Sequence, residues 1–197
     1  MNDTVKKITG VGVLTALVVL LQIFSNYVQF GPISISLALI PIAVGAILYG
    51  PWAGLFLGAA AGAIILTAPS TAAFYTFARE SSHPVLMILA IILLCLLKTG
   101  LAGLAAGFIF KVFKNNHDKI GAIIASISVP LINTGLFILV SMWLFVDLFG
   151  SIGYLITMVI SINFLIEFVV NAALSPVVYY IVKVVEKRQQ TKNYEEE

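Results

Sequence analysis

Between Pro84 and Phe110 the chain carries one charged side chain, Lys98; the rest is aliphatic, aromatic, small or weakly polar. A helix needs about 20 apolar residues to cross the hydrocarbon of a bilayer, and a helix that is apolar all round has to be buried, in a large core or in lipid. A chain of 197 residues is too small for the first. The rest of the sequence agrees: 60% of residues are hydrophobic, 10% are charged and the mean hydropathy is +1.07. Soluble domains carry roughly 25% charged residues. Lipid is therefore the solvent, and the length suits one domain, 1–197.

Six apolar segments follow one another: 8–26, 35–49, 52–68, 84–112, 120–146 and 154–185. The fold class expected is an all-α integral membrane bundle of six spans. The second and third segments are short and meet at Gly50-Pro51, a turn signal; one broken hairpin is the alternative to two spans. Lys6 and Lys7 before the first segment resemble a secretory leader, but the apolar run is long and the following Ser25-Asn26-Tyr27 is a poor cleavage site, so this segment is read as a retained helix.

Charge sets the orientation. With the N-terminus in the cytoplasm, Lys6, Lys7, Lys111, Lys114, Lys119, Lys183, Lys187, Arg188 and Lys192 fall inside, out of 11 Lys and Arg in all. Arg79 alone falls outside and Lys98 lies within a span. This is the bias that the positive-inside rule demands, and it puts both termini in the cytoplasm. The longest connection, 69–83, is then an outer loop, where it could cover a ligand.

Polar residues within spans are costly and mark sites or packing contacts. Lys98 and Glu167 each lie about 20 Å from the outer end of their segments, at 1.5 Å per residue. Matched depth and opposite charge suggest an ion pair facing the bundle interior, with Asn133 nearby; it either orders the bundle or floors a ligand cavity. Asn163, Glu167 and Asn171 recur every fourth position and share one helical face. Gln22, Asn26, Tyr27, Gln29, Tyr75, Arg79, His83 and Trp143 gather at the expected outer mouth, some as interfacial anchors. Asn133, Asn163, Arg79, Lys98, Glu167, Tyr75 and Asn26 are the substrate-binding candidates. Gly54, Gly58 and Gly62, and Gly103 and Gly107, are spaced for close helix contact, either internal or against another subunit.

Other chemistry has little to stand on. Cys95 is the single cysteine, and His83 and His117 are isolated, so no metal site is expected. The sequence holds no Gly-x-x-x-x-Gly-Lys-Ser/Thr loop, no Gly-x-Ser-x-Gly elbow and no His-Glu-x-x-His. An enzyme is not expected, no cofactor is expected in this chain, and a formal charge of +2 gives no reason to expect nucleic acid.

Four stretches carry a resemblance. They are Phe30-Gly-Pro-Ile-Ser-Ile-Ser-Leu-Ala-Leu-Ile-Pro-Ile-Ala-Val-Gly-Ala-Ile-Leu-Tyr-Gly-Pro-Trp-Ala-Gly54, Leu96-Leu-Lys-Thr-Gly-Leu-Ala-Gly103, Val129-Pro-Leu-Ile-Asn-Thr-Gly-Leu-Phe137, and Asn163-Phe-Leu-Ile-Glu-Phe-Val-Val-Asn171 with Ser175-Pro176. In order, they resemble helices two to six of the S components of energy-coupling factor (ECF) transporters. The resemblance implies six helices in a bacterial plasma membrane and a vitamin bound near the outer face. It also implies a partner module, made of a membrane scaffold subunit and two cytoplasmic ATPases that use the ATP. The family's Ala-x-x-x-Ala docking motif on the first helix corresponds here to Gly12 and Ala16. The Met-His start of cobalt and nickel carriers is absent. Within the family the chain is most similar to the pantothenate and folate group, and pantothenate is the expected substrate; riboflavin, a queuosine precursor and cobalamin stay open. Three readings compete with this one: a stand-alone secondary transporter with Glu167 as its ion site, an integral-membrane enzyme, and a bundle with no ligand that serves as a packing or assembly subunit.

Overall fold

The computed structural model describes residues 3–27, 29–30, 33–34, 36–115, 117–145, 147 and 162–195; for 29–30, 33–34, 162–163, 186 and 189–195 it describes the backbone alone. Among the described residues, seven α-helices carry the architecture: α1 (Asp3–Tyr27), α2 (Leu39–Tyr49), α3 (Pro51–Ile65), α4 (Ala72–Glu80), α5 (Pro84–Phe113), α6 (Asp118–Leu144) and α7 (Ile162–Glu195). A two-residue antiparallel pair, β1 (Gln29–Phe30) with β2 (Ile33–Ser34), joins α1 to α2.

Among the described residues four helices, α1, α5, α6 and α7, are long and apolar enough to cross a membrane; α3 with the segment after it makes a fifth if the bent pair is one span. The expected second span, 35–49, is shorter in the structure: α2 starts at Leu39 and has 11 residues, about 16 Å at 1.5 Å per residue. The expected sixth span begins at 154, and 154–161 lie outside the described residues, as does most of the connection from 146 to 161. The connection 69–83, expected from sequence to be an outer loop, is mostly helical. A short 3-10 turn over Pro69–Thr71 leads into α4, and this segment is bent by 73° from α3.

Gly50 links α2 and α3 at φ 94°, a conformation that costs a glycine nothing, and Pro51 starts α3 where no amide is needed. α2 sits at the centre. Leu39, Ile42, Ala43, Val44, Ala46 and Ile47 are buried among Val18 of α1, Leu57 and Ala61 of α3, Ala102 and Ala106 of α5, Ala125 and Val129 of α6, and Val178 and Val182 of α7.

α3 and α5 pack backbone to backbone. A methyl group added at Gly54 would strike the Gly103 carbonyl, one at Gly58 the Thr99 carbonyl, and one at Gly62 the Cys95 carbonyl. The small-residue spacing thus serves internal packing, where helices in lipid gain most from close approach. A second cluster lies beneath α4. Phe74 and Phe77 meet Phe145 edge-on, and Phe74 also meets Phe137 at 6.0 Å between ring centres.

Asp118 of α6 and Lys183 of α7 form an ion pair that marks which residues of the two helices lie level. Asn133 and Glu167 each stand about 15 residues along their helices from that pair, so their depths agree within roughly one 1.5 Å rise.

Candidate functional site

An otherwise apolar bundle buries a set of polar side chains where α1 ends, α2 begins and α7 passes. On α1, Gln22, Ser25 and Asn26 lie at i, i+3 and i+4, so they share a face, and all three are buried. That face turns toward the two residues that precede the first turn of α2. Ser36 donates its backbone N–H to Glu167 Oε1 at 2.7 Å and its hydroxyl to Gln22 Oε1 at 2.7 Å. Leu37 donates its N–H to Ser25 Oγ at 3.0 Å. Gln22 Nε2 donates to Asn26 Oδ1 at 3.2 Å, and Asn26 Nδ2 donates to the Ile64 carbonyl of α3 at 3.3 Å. These bonds answer the requirement that backbone amides left out of a helix and sealed from water find acceptors inside the protein.

Glu167 is 7% exposed and Asn171, one turn on, 3% exposed, so these two members of the polar face on α7 point inward. Asn171 Nδ2 donates to the Glu167 backbone carbonyl at 2.8 Å, leaving its Oδ1 without a hydrogen-bond partner. On α6, Asn133 is also buried, at 4% exposure, and its Oδ1 has no partner among the described residues. A buried amide oxygen without a donor costs free energy, and it is suited to accept an O–H or N–H. The backbone of Asn163 belongs to α7; its side chain lies outside the described residues.

The expected ion pair between Lys98 and Glu167 is not formed. Glu167 takes a backbone amide instead, and the Lys98 ammonium lies over the Phe137 ring, 5.5 Å from its centre. Two features account for this outcome. Lys98 is only half-buried, so its charge is not fully desolvated, and an aromatic face offers a cation a favourable seat. A main-chain donor on a fixed helix entrance is a better-placed partner for a carboxylate than a long flexible stem.

The other candidates are spread apart. Tyr75 on α4 is half-buried and donates its hydroxyl to the Leu66 carbonyl at 3.2 Å. Arg79 is exposed in the last turn of α4. The structure therefore joins Asn26 and Glu167 in one network and sets Asn133 at the depth of Glu167. It leaves Arg79 at the surface. Ser25 and Ser36 were missed in the sequence. The signal for the first was the i, i+3, i+4 spacing on α1; for Ser36 the functional atom is a main-chain amide, which no side-chain pattern reveals.

Gly12 and Ala16 are exposed on α1, and nothing lies within 4 Å of a methyl group added at Gly12. Among the described residues, no helix lies against Gly12. Gly10, on the opposite side, abuts the Tyr49 ring.

Apolar helices long enough to span, packed around buried polar side chains, define a multi-pass membrane protein. The chain matches the family model for the ECF transporter substrate-specific component over residues 6–181, and it belongs to that family. The family is one of transporter components and not of enzymes. No curated protein matches the chain.

Proposed function

We propose that this chain captures a vitamin at the outer face of a bacterial plasma membrane and hands it inward when docked on a separate ATP-driven module. Pantothenate is the substrate proposed. In this reading the chain crosses the membrane six times with both termini in the cytoplasm, and the module consists of a membrane scaffold subunit and two ATPases. The observation that carries the proposal is the buried polar network of Gln22, Ser25, Asn26, Ser36 and Glu167 between α1, α2 and α7, in a chain of this family. Asn133, Asn163 and Asn26 would bind the hydroxyls and amide of pantothenate. Lys98 or Arg79 would meet its carboxylate, Lys98 being free of a direct ion pair with Glu167. Tyr75 would close the outer side. Gly12 and Ala16 would form the groove for the scaffold helix.

Native mass spectrometry of the purified chain identifies any small molecule that travels with it. Titration of pantothenate into Asn133→Ala, Asn163→Ala and Arg79→Ala then tests the site. Loss of a bond to a charged or closed-site group is worth about 1.5–3 kcal/mol, roughly tenfold or more in Kd. Unchanged affinity in all three, with the fold intact, refutes the site.

A further inference from the structure

The buried apolar side chains form two clusters with a polar level between them. On α5 the clusters part between Cys95 and Ala102, around Lys98; on α6 they part between Ile132 and Phe137, around Asn133. Lys98 stands one turn from Leu94 and one from Ala102 and so shares their inward face, yet both neighbours are buried and Lys98 is only half-buried. Its ammonium is directed at α6, where it lies 5.5 Å from the centre of the Phe137 ring. Among the described residues no carboxylate forms an ion pair with it. The ring is braced in turn by its edge contact with Phe74 of α4. One turn to either side of Phe137 stand Asn133 and Ser141, both more than nine-tenths buried, whose Oδ1 and Oγ have no partner among the described residues. An unpaired cation within a span is costly, and so is a buried polar atom without a partner. Both costs fall beside one face of α6, and a ligand that carries a carboxylate and a hydrogen-bond donor relieves both.

We infer that Phe137 is a positioning residue of the ligand site: its ring holds the Lys98 ammonium beside the α6 face that bears Asn133, so that Lys98 selects a ligand by its carboxylate and Asn133 Oδ1 receives a hydroxyl or amide N–H of the same molecule. An ammonium can rest on an aromatic face and still offer N–H bonds to an anion, because Nζ carries three donors. A loose lysine stem would have to be ordered on binding, and the ring removes that cost in advance. The inference rests on the proposed capture of a small molecule but not on the identity of the vitamin. It assigns the ligand to the carboxylic acids and the anion contact to Lys98.

The test uses the full chain in lipid nanodiscs, with equilibrium dialysis against radiolabelled pantothenate, folate, biotin, riboflavin and cobalamin in turn. The first three carry a carboxylate and the last two do not. Wild type should retain an acid, and that acid is the probe, compared with its carboxamide, the same molecule without the charge. Retention of folate or biotin in place of pantothenate overturns the substrate proposed above, and the comparison is then made with that acid. Retention of riboflavin or cobalamin alone overturns the inference and leaves vitamin capture standing; retention of none overturns both. Wild type should prefer the acid to the amide at least tenfold, as for a hydrogen bond to a charged group. Lys98→Met should bring this ratio close to one. Phe137→Leu should lower the ratio about threefold to tenfold, the cost of ordering one long side chain on binding, whereas Phe137→Tyr, which keeps the ring, should preserve it. If Phe137→Leu does not fold, Phe137→Met takes its place. Adding Phe137→Leu to Lys98→Met should lower the ratio no further. A wild-type ratio near one, a ratio unmoved by Lys98→Met or Phe137→Leu, or a ratio lost in Phe137→Tyr would overturn the inference.

Discussion

Ser36 and Glu167, 131 positions apart in the chain, are joined at 2.7 Å by a main-chain N–H and a carboxylate oxygen, both buried. Replacing Glu167 by Leu strands that amide in an apolar interior. The expected cost is about 1.5–3 kcal/mol, the range for a hydrogen bond to a charged group. Glu167→Gln keeps an acceptor of the same shape and should cost less than half as much. Reversible unfolding of the two variants in detergent, followed by circular dichroism, checks the order.

Lys98 and Glu167 should behave as nearly independent sites. Breaking a buried ion pair from one side costs about 3–5 kcal/mol, and removing both partners recovers much of it. With no direct pair between them, Lys98→Met and Glu167→Gln should combine with a coupling energy under about 1 kcal/mol. A double variant markedly more stable than either single one would contradict this arrangement.

Two glycines should respond in opposite ways to the same methyl group. At Gly58 it meets the Thr99 carbonyl of α5, a backbone atom that cannot move aside. Overpacking of this kind costs about 1–3 kcal/mol. At Gly135 nothing lies within 4 Å, and alanine is the better helix former by up to about 1 kcal/mol. Melting of Gly58→Ala and Gly135→Ala in the same detergent should show a loss for the first and no loss for the second.

The two sides of α1 should also separate. Gly12→Trp points into open space and should leave folding and ligand binding intact while blocking assembly with the energising module. Gly10→Trp collides with Tyr49 and should impair folding itself. Size-exclusion chromatography of each variant with the purified module, beside its melting curve, tells the two outcomes apart. A Gly12→Trp chain that assembles and transports normally would remove this face from the docking surface.

The long apolar helices and the break at Gly50-Pro51 were legible because hydropathy and turn residues are local properties of the chain. The inward turn of Glu167 and Asn171 followed from their four-residue spacing, and the small-residue faces of α3 and α5 from theirs. The start of α2 was not legible, because 35–38 are as compatible with a helix as the residues after them; what stops the helix at Leu39 is the capture of the Ser36 and Leu37 amides by residues on α7 and α1. The 69–83 connection was misjudged because its Ser, Thr and charged residues suggest a loop, while Phe74 and Phe77 find a buried aromatic cluster that rewards a helix. The partner of Glu167 was misassigned for a similar reason: sequence depth brings Lys98 level with it, but sequence cannot show that a main-chain amide gets there first.

The entrance of α2 also limits how this protein can change length. An insertion or deletion of one residue between Ser36 and Leu39 would change the spacing of these two amides from α2 and draw them off Glu167 and Ser25. The connection between α5 and α6, by contrast, joins exposed helix ends at Lys114 and His117, and extra residues there disturb no buried bond. Extra loop length costs little in closure entropy. Tags, reporters and natural insertions should therefore be tolerated between α5 and α6 and rejected before α2, although both stretches are short connections.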